Sequence, residues 1–269
     1  MTTLPQFYDL SLEERKSSYY VTIKTGHVDV LYAMPENGDP RLSHQFYHYS
    51  FKEHAHRSGD RQYNTDTERL RKQTRTALSE LPYNNHNILQ TFRRESRRLD
   101  KKYYFKSRRS LSDAIKTCYN KYLPESKAQR KRLVFAWVGN DASAPMQRER
   151  PPWAKDVDVP RALLDLKYEV VEINGYKTST RCNSCNNPLK HCWTTNRDRT
   201  KFRTDTDQSG NYELIEGLRL CDSTECRNEI PADLQYRVLN IDKVTLCNAT
   251  TIVNSVKRPQ FLKYSSQNP

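Results

Sequence analysis

The sequence lacks long apolar stretches, a secretory signal and internal repeats. No run of about 18 apolar residues occurs, so we expect no membrane span. The first residues, MTTLPQFYDLSLEERK, lack the basic and then apolar pattern of a signal peptide, so we expect a nuclear or cytoplasmic protein that is not secreted. Seven cysteines in such a chain favour metal binding over disulfide bonds. Because only 35% of the 269 residues are apolar, we expect a modest core in one large domain or two small ones.

The charge is strongly positive and unevenly distributed. The formal net charge is +13 and the pI is about 9.4, which predicts a polyanionic partner, DNA or RNA. Residues 61–132 contain 20 Lys and Arg against 7 Asp and Glu, so the surplus of this segment equals the net charge of the whole chain.

Two close pairs of cysteines lie near the C-terminal end. Cys182 and Cys185 form a Cys-x-x-Cys pair, and Cys221 and Cys226 form a Cys-x-x-x-x-Cys pair 35 residues later. Two such thiolate pairs, each on a tight turn, predict one tetrahedral zinc ion. Four thiolates leave no position for a water ligand, so we expect a structural zinc. His191 and Cys192 remain open as substitutes for one ligand.

Residue patterns predict three strands before the basic segment and two after it. Strands are expected at 19–24, 28–34 and 43–50, where short turns make an antiparallel meander, and at 133–138 and 168–174. Short helical patterns follow at 159–166 and, starting from Pro231, at 231–256. Turn residues at 207–210 precede a strand at 217–220 that leads to Cys221. This order indicates an α/β, ribonuclease-H-like domain with a helical insertion and an inserted zinc ribbon.

The basic segment has a helical period. Leu111, Ile115, Cys118 and Tyr122 mark one apolar stripe, and Pro124 is expected to end the segment. Eight cations lie on the other faces and are predicted to bind nucleic-acid phosphates: Arg93, Arg94, Arg97, Arg98, Lys101, Lys102, Arg108 and Arg109. Interleaved aromatic residues can stack on bases: Phe92, Tyr103, Tyr104, Phe105 and Tyr119.

The motif Tyr176-Lys-Thr-Ser-x-x-Cys-x-x-Cys, followed by Gly217-Leu-Arg-Leu-Cys-x-x-x-x-Cys226, resembles the zinc-ribbon signature of TnpB-type proteins. These are the transposon-encoded (OrfB) RNA-guided nucleases, their eukaryotic Fanzor relatives and the type V CRISPR effectors. The Cys-x4-Cys spacing and Gly139-Asn140 resemble the eukaryotic, fungal-like branch. The resemblance covers roughly residues 19–257, and its specific part is 176–226. It implies a RuvC nuclease domain without the N-terminal half that holds guide RNA and target DNA.

The resemblance also identifies catalytic positions. The family holds divalent metal ions, Mg if the site is active, with two aspartates and a glutamate. Lys24 stands where the first aspartate is expected and Gly175 where the glutamate is expected, so two ligands are lost. The last aspartate falls on Asp233 when counted from Cys226 without gaps. The alternative, Asp242, requires a nine-residue insertion.

The resemblance therefore implies a truncated, nuclease-dead protein that binds nucleic acid through the basic segment and the ribbon. Two alternatives stay open: an active metal-dependent endonuclease rebuilt with Asp29, Asp141 or Glu172, and a transposon relic without function.

The remaining histidines and cysteines are interpreted as structural residues. We interpret His44, His48, His54 and His56 as polar strand and loop residues, and Cys118 and Cys247 as buried thiols. The implied domain boundaries are: leader 1–18, first half-sheet 19–58, basic helical insertion 59–132, second half-sheet 133–176, zinc ribbon 177–230, last helix 231–257 and tail 258–269.

Overall fold

The computed structural model describes residues 4–26, 29–39, 41–80, 85–139, 159–195, 198–203, 212–228 and 236–263. Its first sheet consists of β1 (Ser18–Lys24), β2 (Asp29–Pro35), β3 (Tyr47–Ser50), β4 (Arg132–Val138) and β5 (Val170–Ile173). The strand order is β3-β2-β1-β4-β5. The first three strands pair antiparallel, which confirms the predicted meander, and β1, β4 and β5 run parallel.

The helices are α1 (Leu12–Ser17), α2 (Phe51–Ser58), α3 (Asp60–Glu80), α4 (Asn85–Ala128), α5 (Val159–Asp165), α6 (Thr224–Arg227) and α7 (Ile241–Val253). Side chains of β1 alternate between two cores. Tyr19, Val21 and Ile23 face α4 and α5. On the opposite face Tyr20 packs in the core that contains α7, and the Thr22 hydroxyl lies 3.0 Å from that of Thr250.

The apolar stripe of α4 fixes that helix on the sheet. Its four predicted members are buried, which confirms the helical reading of this region. The prediction that Pro124 ends the helical segment is wrong, because α4 continues to Ala128. Glu125 accepts a hydrogen bond from the Tyr19 hydroxyl, and the Ser126 hydroxyl donates to the carbonyl of Lys131 at 2.7 Å. These contacts hold the last turn although proline removes one backbone donor.

A second, antiparallel sheet contains β6 (Lys190–Thr195), β7 (Asp198–Arg203), β8 (Tyr212–Cys221) and β9 (Arg237–Asn240), in the order β7-β6-β8-β9. Strand β9 continues directly into α7. The predicted helix 231–256 is therefore wrong at 237–240, where pairing with β8 outweighs helical propensity. The Asn240 side chain caps α7 by accepting hydrogen bonds from two backbone N–H groups, which explains why the helix begins at 241.

Part of the predicted leader belongs to the first sheet. The backbone N–H of Glu172 in β5 donates to the carbonyl of Pro5 at 2.8 Å, and Gln6 forms a parallel bridge with the same residue. Phe7 is buried, with its ring edge-on to Tyr20 at 5.2 Å. The chain thus joins the core before the predicted start of the sheet at residue 19.

Candidate functional site

The four paired cysteines come together in one buried cluster at the second sheet. The sulfur atoms of Cys182, Cys185, Cys221 and Cys226 all lie within 4.8 Å of one another. The Sγ atoms of Cys182 and Cys226 are 3.7 Å apart, and those of Cys185 and Cys221 are 3.5 Å apart. In the part of the chain that the structure describes, this is the one group of three or more His, Cys, Asp or Glu placed to hold a metal ion.

Local backbone structure positions each sulfur. The N–H of Cys182 donates to the carbonyl of Asn187 at 2.9 Å, and the N–H of Asn186 donates back to Cys182 at 3.0 Å. Asn186 adopts a left-handed φ of 63°, a conformation that asparagine tolerates better than most residues. The resulting tight turn aims both sulfurs of the first pair at β8. Cys221 ends that strand, and Cys226 lies on α6.

The thiols of the cluster differ in acidity, because burial raises the pKa of Cys226 to about 11 and raises that of Cys221 further above its usual range. Burial raises the pKa of Cys185, but hydrogen bonds, led by the backbone of Asn187, outweigh it and lower that pKa to about 7. The guanidinium of Arg237 donates to the Sγ of Cys226 at 3.8 Å and to the Ser184 hydroxyl at 2.8 Å. No pattern in the sequence indicates Arg237, because its position beside the sulfurs depends on the pairing of β9 with β8.

These residues fit a zinc ion. Zn–S bonds of about 2.3 Å in a tetrahedron place sulfur atoms ~3.8 Å apart, close to the two separations above. The cluster can therefore bind a metal such as zinc. It does not include His191 or Cys192, the two open substitutes, which lie on β6.

Lys24 and Asp242 form a second group, on the α7 side of the first sheet. The Lys24 ammonium donates to the Asp242 carboxylate at 3.1 Å and to the Thr245 hydroxyl at 3.3 Å. The Asp242 side chain is only 3% exposed and that of Lys24 is 17% exposed. A Cβ at Gly26 would lie 2.3 Å from a carboxylate oxygen of Asp242, so this turn can approach the carboxylate only because residue 26 is glycine. Asp233, the first choice from the sequence, lies outside the described residues.

Asp29 lies near this group. A register shift in β2 follows Asp29, and its carboxylate is 3.8 Å from the Nδ1 of His48. Burial raises the pKa of Asp29, and the charge of Asp242 adds to this effect while His48 opposes it.

Glu172, another proposed replacement carboxylate, is not brought into this group. Side chains alternate between the two faces of the sheet along β5. Val170 packs in the core that contains α4, whereas Val171 and Ile173 pack in the core that contains α7, and Glu172 is on the same face as Val170. Strand alternation therefore aims Glu172 away from Asp242, and its carboxylate accepts a hydrogen bond from Gln6 at 2.7 Å. A Cβ at Gly175 would lie 2.3 Å from the carbonyl oxygen of Gly139, which leaves no room for a side chain there. Asp141 lies outside the described residues.

The eight predicted phosphate-binding cations all lie on α4. Seven are exposed, and Arg108 is half-buried and paired with Asp165. Glu95 is the acidic neighbour of Arg94 and Arg98, at 3.6 and 3.9 Å. Among the described residues no carboxylate pairs with the remaining five, which are Arg93, Arg97, Lys101, Lys102 and Arg109. Exposed Lys106, which the sequence analysis missed, extends the ridge formed by Arg94, Arg98 and Lys102, and its four-residue spacing was a usable signal.

The aromatic residues of α4 divide into covered and open rings. Tyr103 stacks on Tyr63 of α3 with ring centres 4.6 Å apart, and Tyr119 stacks on Tyr168 at 4.5 Å. Phe105 is 59% exposed and Tyr104 is 44% exposed. Two of the five predicted stacking residues thus present large open surface.

The prediction that His54 is a polar strand or loop residue is wrong. His54 lies on α2 and is buried, with its Nε2 3.0 Å from the Ser107 hydroxyl and its Nδ1 3.3 Å from the Tyr49 hydroxyl. These hydrogen bonds join α2 to β3 and to α4, so His54 is a structural residue. His56 lies on the same helix and is exposed.

Comparisons with known proteins find similar solved structures, which include the following two. One is the cryo-EM structure of the Cas12f1-sgRNA-target DNA complex, with 10% identity, a TM-score of 0.37 and coverage of 87% of this chain and 50% of that chain. The other is CasPhi-2 (Cas12j) bound to crRNA, with 10% identity, a TM-score of 0.40 and coverage of 90% and 49%. The chain thus spans about half the length of the structures it matches. No protein-family model and no curated protein matches it.

In the described residues no helix has the length and apolar character needed to cross a bilayer.

Proposed function

We propose that the protein is a nucleic-acid-binding domain that contacts DNA or RNA phosphates through α4. The observation that carries this proposal is the exposed row of cations on that helix. From Arg93 to Arg109 the row extends about 24 Å along the helix axis. Five of its members have no acidic partner among the described residues, so their charges are available to an external polyanion.

We further propose that the domain is ribonuclease-H-like, of the RuvC type, with a zinc ribbon, and descends from a TnpB- or Fanzor-type nuclease. The parallel β1, β4 and β5 beside an antiparallel meander support the first part. The cysteine cluster supports the second. Its four sulfurs would complete the coordination of the ion, so the zinc would hold the turn, β8 and α6 together without taking part in chemistry.

In this proposal the domain binds without cleaving, and Asp242 rather than Asp233 is the carboxylate retained at the former catalytic position. The Lys24 ammonium, 3.1 Å from Asp242, supports both points. It supplies the positive charge that a divalent ion would bring to this carboxylate, and its own charge repels such an ion. The four residues of β9 lie within the stretch where the Asp242 alignment places its nine-residue insertion.

A second candidate, a metal-dependent endonuclease with a rebuilt site, is favoured by one observation. Asp29 is close enough to Asp242 for the two charges to interact. Incubating labelled single- and double-stranded DNA with the protein and Mg²⁺ or Mn²⁺ tests it. We expect no cleavage. Cleavage that EDTA stops and that Asp242→Ala or Asp233→Ala abolishes would establish the nuclease instead.

The binding proposal is tested by a salt series. Each phosphate contact contributes about 0.7 to the slope of log affinity against log salt for single strands and about 0.9 for B-DNA. The triple variant Arg93→Gln, Arg97→Gln, Lys101→Gln should therefore lower the slope by roughly 2 to 3. A control variant with the same loss of charge is Lys16→Gln, Lys52→Gln, Lys257→Gln, which changes exposed lysines outside α4. Equal slopes for the two variants would show that α4 is not the binding surface.

A further inference from the structure

Phe105 is an open aromatic ring within the cationic row. It is 59% exposed, more than the other exposed aromatic, Tyr104. Tyr104 is also engaged with its own helix, because its hydroxyl accepts a hydrogen bond from Arg108 at 3.0 Å and the Arg108 guanidinium lies 5.6 Å from its ring centre. Phe105 contacts the edge of Tyr104 at 5.8 Å between ring centres and presents the rest of its surface outward.

The neighbours of Phe105 along the helix are cations. Lys101 precedes it by four residues and Arg109 follows it by four, and both are exposed. Residues four apart lie on the same side of a helix, separated by about 6 Å along the axis. The ring is therefore flanked at both ends by positive charges, and Lys102 lies next to it on the adjacent ridge.

We propose that this surface binds single-stranded nucleic acid, with one base stacked on Phe105 and the flanking phosphates held by Lys101 and Arg109. The proposal rests on the phosphate-binding role of α4 and specifies the polymer that α4 binds. An aromatic ring between phosphate-binding cations is the arrangement that proteins use for single strands, because every base has a face that can stack.

A duplex fits this surface poorly. Its bases are stacked on one another inside the helix, and exposing one face requires unstacking at a cost of a few kcal/mol. Cations alone would bind a duplex as well as a single strand, so the ring makes the difference. A single strand, by contrast, offers base faces and phosphates together.

The test compares Phe105→Ala, Phe105→Leu and Phe105→Trp with the unaltered protein. Because the side chain is exposed, all three should fold. The ligands are oligonucleotides of about 16 residues: poly-deoxythymidine, poly-uridine, a hairpin-closed DNA duplex and a base-free strand with the same number of phosphates. Leu12→Ala, which shortens an exposed apolar side chain on α1, serves as the control.

We expect Phe105→Ala and Phe105→Leu to weaken single-strand binding about 5- to 150-fold, the loss that accompanies removal of one stacking partner. Phe105→Trp should retain affinity within about twofold, since tryptophan also stacks. Binding of the duplex and of the base-free strand should change by less than about twofold in every variant. Equal losses with DNA and RNA assign the surface to single strands in general, and a loss with one polymer alone assigns it to that polymer.

Two results would overturn the inference. One is an equal loss for the single strand and the duplex, and the other is no loss for any ligand. Either result leaves the role of α4 in place as long as the triple variant Arg93→Gln, Arg97→Gln, Lys101→Gln lowers affinity. If the triple variant binds like its charge-matched control, the proposed function itself is wrong.

Discussion

Replacing Lys24 by methionine removes the cation that faces the buried Asp242. At 3.1 Å and an effective dielectric constant of about 20, the pair attraction is about 5 kcal/mol. Part of this only offsets the cost of burying the two charges. Loss of one partner from a buried pair usually costs about 3–5 kcal/mol, because the other charge remains buried. Since Lys24 keeps some contact with solvent, we expect a loss near the lower limit, about 3 kcal/mol.

A loss of this size lowers the melting temperature by roughly 6–12 °C in a chain of this length. The assay is thermal unfolding at neutral pH, with Arg57→Met as the control. Arg57 pairs with Glu53 at 2.6 Å, with both side chains more than 40% exposed, and its guanidinium lies 5.5 Å from the ring centre of Tyr49, so its loss should cost about 1 kcal/mol. Asp242→Asn combined with Lys24→Met should recover at least half of the deficit. The ion-pair argument fails if Lys24→Met is as stable as Arg57→Met, or if the double variant is no better than the single one.

Two further predictions concern the cysteine cluster and the buried histidine. The purified protein should contain zinc, measured with a colorimetric chelator after unfolding; Cys182→Ser should lack it, whereas His191→Ala should contain it. Zinc loss in the second variant would reinstate the histidine as a ligand. Burial lowers the pKa of His54, with Asp60 opposing, so the unfolded chain binds more protons than the folded protein just below pH 6.5. The stability that His54 contributes should therefore be present above about pH 6.5 and decline as the pH falls, and the melting temperature of His54→Asn should fall less steeply between about pH 7 and pH 5. Parallel profiles for the two proteins would show that other groups cause the decline.

The sequence predicted the elements whose signals are local. Strand β1 is aromatic and β-branched, and the stripe from Leu111 to Tyr122 repeats at helical spacing, so both were recognised. The cysteine pairs were found because their ligand spacing carries its own chemistry. In each case the pattern lies within a few residues of chain.

What the sequence missed depends on distant partners. The sequence predicts residues 237–240 as part of a helix, but they form a strand because their backbone pairs with that of β8. The sequence predicts His54 as a polar strand or loop residue, because its partners, Tyr49 on β3 and Ser107 on α4, reach it only in the folded protein. Asp233 lies outside the described residues, so the preference for it over Asp242 stays a prediction.

The segment at Pro5 and Gln6 has a consequence for self-association. An open edge of a sheet offers unpaired backbone groups to any passing chain. Here the N–H of Glu172 on the outer edge of β5 is already taken by the carbonyl of Pro5. Proline has no N–H of its own to donate, so it is a poor template for adding another strand. A shortened protein starting at Tyr19 would uncover this edge, and we expect such a protein to self-associate through β5.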